Sequence, residues 1–295
     1  MPERLRIESR VKIILSRKGF DSSAGGVPSP IFPDSRVLSL PIPDCDSPIR
    51  YGDLAWRGKR GVGEIAERLT KGRLNASDGV HIDPDLAPDT LARSRGWRAV
   101  LGQTGAAQGH LQNFGVGPGD VFLFFGLFQE VQKLGRDLRF RPDSEPQHVI
   151  FGWLQVAEVV PVDRCSRKVM SWAAYHPHMN RDLDSQNTLY VASHRIKLPG
   201  HGRLERPGAG VLTHYDPLLR LTAPESAKPS LWLLPKWFFS KGRKTRLSYH
   251  GDMTRWKRIS GGVMLQSVAR GQEFILDADD YPEALDWVAG LIALS

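Results

Sequence analysis

The sequence predicts an α+β protein built on a mixed or mainly antiparallel, barrel-like sheet with peripheral helices. Three observations carry this expectation. Residues 121–125, Val-Phe-Leu-Phe-Phe, form a short apolar run between Gly119-Asp120 and Gly126. Its length and its aromatic and β-branched content suit a strand buried on both faces. Residues 148–160 form a second apolar stretch, with polar Gln155 and Glu158 among apolar neighbours. Gly126 and Gly152 sit inside these runs, which suggests a bulge, a barrel corner or a close backbone approach. Third, Leu285, Val288, Leu291 and Ile292 recur at helical spacing behind Asp280-Tyr-Pro, so a helix packs on the core near the end of the chain.

The 295 residues, 41% of them hydrophobic and 24% charged, have the composition of a globular protein. No internal repeat or low-complexity linker divides the chain, so residues 1–295 read as a single domain. A net charge of +8 favours an anionic partner, nucleic acid or a nucleotide, although a basic surface also serves solubility. The two cysteines, Cys45 and Cys165, form neither a disulfide framework nor a Cys-x-x-Cys pair. The charged first ten residues lack the apolar region of a signal peptide, and no run is long enough to span a membrane. A cytoplasmic protein is expected.

In chain order, an apolar strand at 11–15 runs into a loop at 16–30 rich in Gly, Ser and Pro. Such a loop at the end of a core strand is a frequent ligand position. Ser16, Arg17, Lys18, Gly25 and Gly26 are candidate nucleotide or phosphate ligands. The cations and hydroxyls offer donors, and the glycines let backbone N–H groups approach an anion. Asp21 adds a carboxylate for chemistry. The loop lacks the Gly-Lys-Ser/Thr of a Walker loop, as does the cluster at 58–63, which reads as a turn before a helix at 64–69.

His81 and Asp83 alternate, so on a strand they face one side and could share a metal or a substrate. The Asp-Pro-Asp at 83–85 equally reads as turn chemistry. Residues 103–113 collect Gln103, Gln108, His110 and Asn113 among small residues. Side-chain amides present the donor–acceptor pairs that read base edges, and an imidazole can carry a proton near neutral pH. The alternative is a helix packed through its small residues with solvated amides. The stretch at 129–146, with Arg136, Arg139 and Arg141 near Phe140, reads as an exposed insertion. His176 and His178 are separated by a proline, and spacing identifies no third ligand, so no metal set is assigned. Strands are expected at 187–193 and 273–277. At 232–246, Trp232, Trp237, Phe238 and Phe239 stand beside Lys236, Lys241, Arg243, Lys244 and Arg246, a composition suited to single-stranded nucleic acid or to core aromatics beside a surface turn.

Two resemblances follow from these residues. The Gly-Asp, apolar strand, insertion and Gly152-Trp-Leu-Gln-Val156 strand resemble the core hairpin of PUA-like barrels, including their ASCH and EVE relatives. Ser16-Arg-Lys-Gly-Phe-Asp-Ser22 with Gly25-Gly-Val-Pro-Ser-Pro-Ile31 resembles the opening of the nucleotide modification associated domain 3 family. Leu40-Pro-Ile-Pro43, Tyr51-Gly-Asp53, His81-Ile-Asp-Pro-Asp-Leu86, residues 102–126, Asn187-Thr-Leu-Tyr190, Leu221-Thr-Ala-Pro224 and Trp232-Leu-Leu-Pro235 continue that likeness in order. The second resemblance implies a part in bacterial or phage systems that make or handle modified DNA bases. On that reading the protein binds a nucleotide or modified base and acts on it, with His81, Asp83 and Asp21 as the chemical groups. The other readings are a non-catalytic reader of modified nucleic acid, with Trp153 or Trp232 in its pocket, and an accessory subunit that binds other modification proteins. No cofactor is identifiable.

Overall fold

The computed structural model describes residues 11–135, 137–165, 170–180, 184–240, 242–269 and 271–295. The first ten residues, Arg136 and Lys241 lie outside this set. In chain order the strands are β1 (Lys12–Arg17), β2 (Ser29–Ile31), β3 (Ala55–Trp56), β4 (Lys59–Arg60), β5 (Val100–Gln103), β6 (Val121–Leu134), β7 (Asp137–Phe140), β8 (Gln147–Pro161), β9 (Thr188–Ala192), β10 (Ala209–Val211), β11 (Leu231–Leu234), β12 (Trp256–Ile259), β13 (Gly262–Gln266) and β14 (Glu273–Asp277). The helices are α1 (Val62–Thr70), α2 (Gly105–Asn113) and α3 (Glu283–Ala293).

The architecture is mixed α and β. Nine strands form the main sheet, in the order β14-β1-β6-β8-β9-β5, with β2 and β7 on β6 and β10 on β8. The pairings β1–β6 and β2–β6 are parallel and the others antiparallel. Among the described residues the backbone ladder does not close into a barrel, because β14 and β5 end the order without pairing with each other. Strands β11, β13 and β12 form a separate small sheet, and β3 and β4 a short ribbon.

The long pair β6–β8 is the centre of the core. Val121, Phe122, Leu123, Phe124 and Phe125 are all buried, as are Val149, Ile150, Trp153 and Leu154. A register shift falls between Phe124 and Phe125, where Phe124 faces Gly152 and Phe125 faces Ile150. The two interior glycines mark close approaches. A Cβ on Gly126 would lie 2.7 Å from the Lys18 carbonyl oxygen, and one on Gly152 would lie 2.9 Å from that of Gly210. Gly126 therefore lets the chain leaving β1 turn over β6, where the Lys18 N–H donates to the Phe125 carbonyl at 2.8 Å. The charged insertion at 129–146 is built as a hairpin, the end of β6 with β7, beside which Arg139 pairs with Asp137 and Arg141 with Asp143 and Glu130.

Helix α3 buries Ala284, Val288, Ala289, Leu291 and Ile292. Glu283 and Asp286 lie in its first turn, where negative charge complements the helix dipole. The aromatic–basic segment clamps this helix. Trp232 and Phe238 are buried, Trp237 packs on Trp287, and Arg243 pairs with Glu283. Trp153 and Trp232 are core residues, donating their indole N–H groups to the Pro207 carbonyl and to His148 Nδ1. Neither presents a ring for a base to stack on. No described helix is long and apolar enough to cross a membrane.

Burial depresses His148 to a pKa of about 3, helped by the nearby Arg17 charge, and His250 to about 4. Both rings serve as acceptors, His148 from Trp232 and His250 Nε2 from the Val268 N–H, so both must stay neutral. Their folded pKa values lie below the unfolded value of 6.5. The stability they carry is thus complete above pH 6.5 and is lost as pH falls toward 4 and 3. Thermal melts across this range should show a falling midpoint. His148→Asn, which keeps an acceptor near the Nδ1 position but does not titrate, should flatten part of the slope. An unchanged slope would show that His148 titrates normally in the fold.

Candidate active site

The site is a cleft of about 1050 Å³ where the loop after β1, the start of α2 and the start of β14 converge. Arg17, Lys18, Asp21, His81, Asp83, Gln103 and His110 line it, together with His148, His178, Tyr249 and Glu273. The sheet curls to make this possible. Gln103, on one end strand, donates from Nε2 to Glu273 Oε1 on the other at 2.6 Å. The register of β1 with β14 sets Ser16 opposite Glu273, and the Ser16 hydroxyl donates to Oε1 at 3.0 Å.

At the floor stands an ionic triad. Lys18 Nζ lies 3.6 Å from Asp83 Oδ2 and 3.7 Å from Glu273 Oε1. The three side chains are 9%, 5% and 1% exposed. The Asp83 and Glu273 environments push their pKa values apart. For Asp83, burial acts upward, but the Lys18 charge with His176 and His178 outweighs it and holds the carboxyl well below its ordinary range. For Glu273, burial dominates and raises the pKa, opposed in part by Lys18, Ser16 and Gln103. Glu273 Oε2 is buried without a hydrogen-bond partner. One carboxyl is thus fixed as the anion, while the other holds a proton more readily. That pairing serves proton transfer.

Three histidines surround Asp83. His81 Nδ1 is 2.9 Å from Asp44 Oδ2, and His178 Nδ1 is 2.7 Å from Asn187 Oδ1. His176 is fully buried, with Nε2 3.5 Å from Asp83 Oδ1. Burial pushes His178 down to about 4, so it is neutral at physiological pH. His81, Asp83 and His178 each offer a ligand atom, all within 4.8 Å of one another, a group of the type that can hold a metal. Gly102 makes this packing possible. A Cβ there would lie 2.2 Å from His178 Cδ2, and its N–H donates to Asp83 Oδ1 at 2.6 Å.

The remaining residues singled out by sequence occupy varied places. Asp21 Oδ1 accepts from the Ser23 N–H and hydroxyl and the Ala24 N–H, so it organises its own loop at the cleft rim. Arg17 Nη2 donates to the Ala269 and Gly271 carbonyls. Ser16 lies behind Glu273 rather than in the cleft. Gly25 and Gly26 shape the loop: a Cβ on either would strike Phe20 or Arg73. Gln108 is buried and accepts from the Tyr190 hydroxyl, and Asn113 is exposed at the far end of α2, away from the cleft lining. His110 stacks on Tyr249 at 4.3 Å and meets Ser248 Oγ at 3.0 Å. Asp85 is paired with Arg93 at 2.6 Å and with Tyr175, an anchor that fixes the segment carrying Asp83.

Sequence reasoning missed Glu273, Asp44, Tyr249 and the Asn187–His178 pair. A lone acidic residue opening the apolar 273–277 strand was the signal for Glu273. Asn187 stood in a matching family segment. Tyr249 gave no periodic signal.

The geometry describes a buried ionic triad at the floor of an open cleft. The chain matches the nucleotide modification associated domain 3 family over residues 12–277 and belongs to that family. No curated protein and no solved structure matches it.

Lys18 holds two buried carboxylates together, so its loss leaves them facing each other. Lys18→Met should cost about 3–5 kcal/mol of stability, the range for breaking a buried ion pair. Denaturant unfolding of Lys18→Met against the Lys18→Met/Glu273→Gln double variant checks this: the second change should restore part of the loss, and no restoration would show that Glu273 is not its partner.

Proposed function

We propose that the protein binds a nucleotide or a modified base in this cleft and acts on it as part of DNA base modification. The carrying observation is the convergence in one cleft of Lys18, Asp83 and Glu273 with exposed stacking and anion-binding groups. A family association with nucleotide modification supports the same reading.

The groups divide by height. At the rim, Tyr249 is 49% exposed and stacks on His110. Its φ of 64° is in the left-handed region, an unfavourable backbone position for a tyrosine that the surrounding loop holds. This ring offers a face to a base. Arg17 and the first turn of α2 line the same cleft, and first-turn N–H groups lack intrahelical acceptors. They suit a phosphate. Lys18 does not, since its ammonium is already set between two carboxylates. Deeper, Glu273 is the group that can carry and release a proton, Asp83 beside it is the fixed anion, and Gln103 orients Glu273 through its amide.

A non-catalytic reader needs no pair of carboxyls with opposed pKa shifts at its floor, which favours chemistry over reading alone. The test combines binding and product analysis. Nucleotides and single- and double-stranded DNA, plain and base-modified, are titrated at two salt concentrations, and the products are digested for nucleoside mass. A changed mass is expected. Binding without a changed mass, with cofactors of the modification pathway supplied, would favour the reader. Tyr249→Ala should weaken nucleotide binding by about 1–3 kcal/mol, the worth of one base–aromatic stack. Unchanged affinity would move the base elsewhere in the cleft.

A further inference from the structure

We propose that His81, Asp83 and His178 bind one divalent first-row transition-metal ion, with its open coordination positions facing the cleft. This deepens the reading of the cleft as a site of chemistry and rests on it for the purpose of the ion, though not for its binding.

The hydrogen bonds around the two imidazoles decide which nitrogen is free. Asp44 Oδ2 lies 2.9 Å from His81 Nδ1, and a carboxylate oxygen can only accept, so Nδ1 carries the proton and the neutral ring keeps its lone pair on Nε2. The Asn187 amide is oriented by its own donor, since Nδ2 gives to the His178 carbonyl at 2.7 Å. That leaves Oδ1 toward His178 Nδ1 at 2.7 Å, which must then be the N–H. Both rings thus present an unprotonated Nε2 and are held from behind by an oxygen acceptor. This is the outer-shell arrangement of metal-ligating histidines. A merely structural pair of histidines needs no such matched orientation.

Asp83 supplies the third ligand. His176 lies behind it: its Nδ1 accepts from the His178 N–H at 3.4 Å, so its Nε2 is the protonated one. That buried Nε2 has no hydrogen-bond partner and stops 3.5 Å from Asp83 Oδ1. The 4.8 Å span of the three ligand atoms is wider than the roughly 3.4 Å edge of a tetrahedron of about 2.1 Å bonds. An ion would draw the three side chains inward. Two nitrogens and one oxygen select zinc or iron over magnesium or calcium, and three protein ligands leave positions open, as in catalytic rather than structural sites.

The full chain, stripped with a chelator, is titrated with Co²⁺ and then Zn²⁺ without nucleotide, following cobalt absorption and bound metal per chain. One equivalent is expected, with zinc displacing cobalt and excess Mg²⁺ displacing neither. His81→Ala and His178→Ala should each lower affinity at least 100-fold, and Asn187→Ala by about 10–100-fold, by releasing the His178 ring from the oxygen that orients it. Circular dichroism checks that each variant folds. The wild-type titration needs no variant: absence of a stoichiometric site there overturns the proposal, as does binding that survives both histidine substitutions. Nucleotide affinity is measured separately on the same stripped protein. Nucleotide binding with no metal site removes this inference alone, and a metal site with no nucleotide binding removes the proposed function alone.

Discussion

Lys18 places one ammonium between two buried carboxylates that come from distant parts of the chain. Asp83 lies in the segment beside β5, and Glu273 opens β14. Without that charge the two buried carboxyls would repel each other. With it, Asp83 is held ionised, while burial biases Glu273 toward its acid form against the pull of the same ammonium. Lys18 therefore fixes the position of both carboxyls and the charge of one. The backbone serves this arrangement directly: Gly126 clears the space for the chain at Lys18, and the Lys18 N–H is tied to the Phe125 carbonyl.

The curl of the sheet follows from the same requirement. Strands β14 and β5 stand at opposite ends of the hydrogen-bonded order, yet Gln103 reaches Glu273 across the gap. Side chains thus span what a closed barrel would span with backbone. A closed ladder would have filled the space with paired strands. The gap instead leaves a cleft floored by polar side chains, with α2 along one side and the loop after β1 along another.

Much of the scaffold was legible in the sequence. The buried run at 121–125, the long strand after 147, the strand at 273–277 and the final helix each have a local pattern, and local patterns are what one sequence displays. The loop after β1 was legible too, since glycine and proline interrupt regular structure wherever they fall. The barrel-like closure was not, because curvature depends on which end strands meet. Site chemistry divided in the same way. Alternation drew attention to His81 and Asp83, although residues 81–83 form no strand, and Lys18 stood out as a cation at the end of a core strand, where it meets carboxylates rather than offering a free charge to phosphate. His178 was visible, but sequence spacing could not show that it meets His81 and Asp83, about a hundred residues upstream. Gln108 and Gln103 looked alike in the sequence, yet one faces Tyr190 in the core and the other faces Glu273. Only the end of β5 and the start of α2 separate the two environments.

The segments that carry the site also border the two end strands. Asp85 exchanges backbone hydrogen bonds with Val100, and the Gly102 N–H gives to Asp83, so the 83–85 segment lies along β5. Ser248 does the same for β14, its N–H donating to the Ile275 carbonyl and its hydroxyl accepting from the Ile275 N–H. Unpaired strand edges recruit strands from other molecules. Here the segments bearing Asp83 and Tyr249 occupy those edges, so they act as guards against self-association as well as lining the cleft. A substitution that loosens either segment would impair the cleft and uncover an edge in one stroke. Solubility and the geometry of the cleft are consequently bound together in this fold.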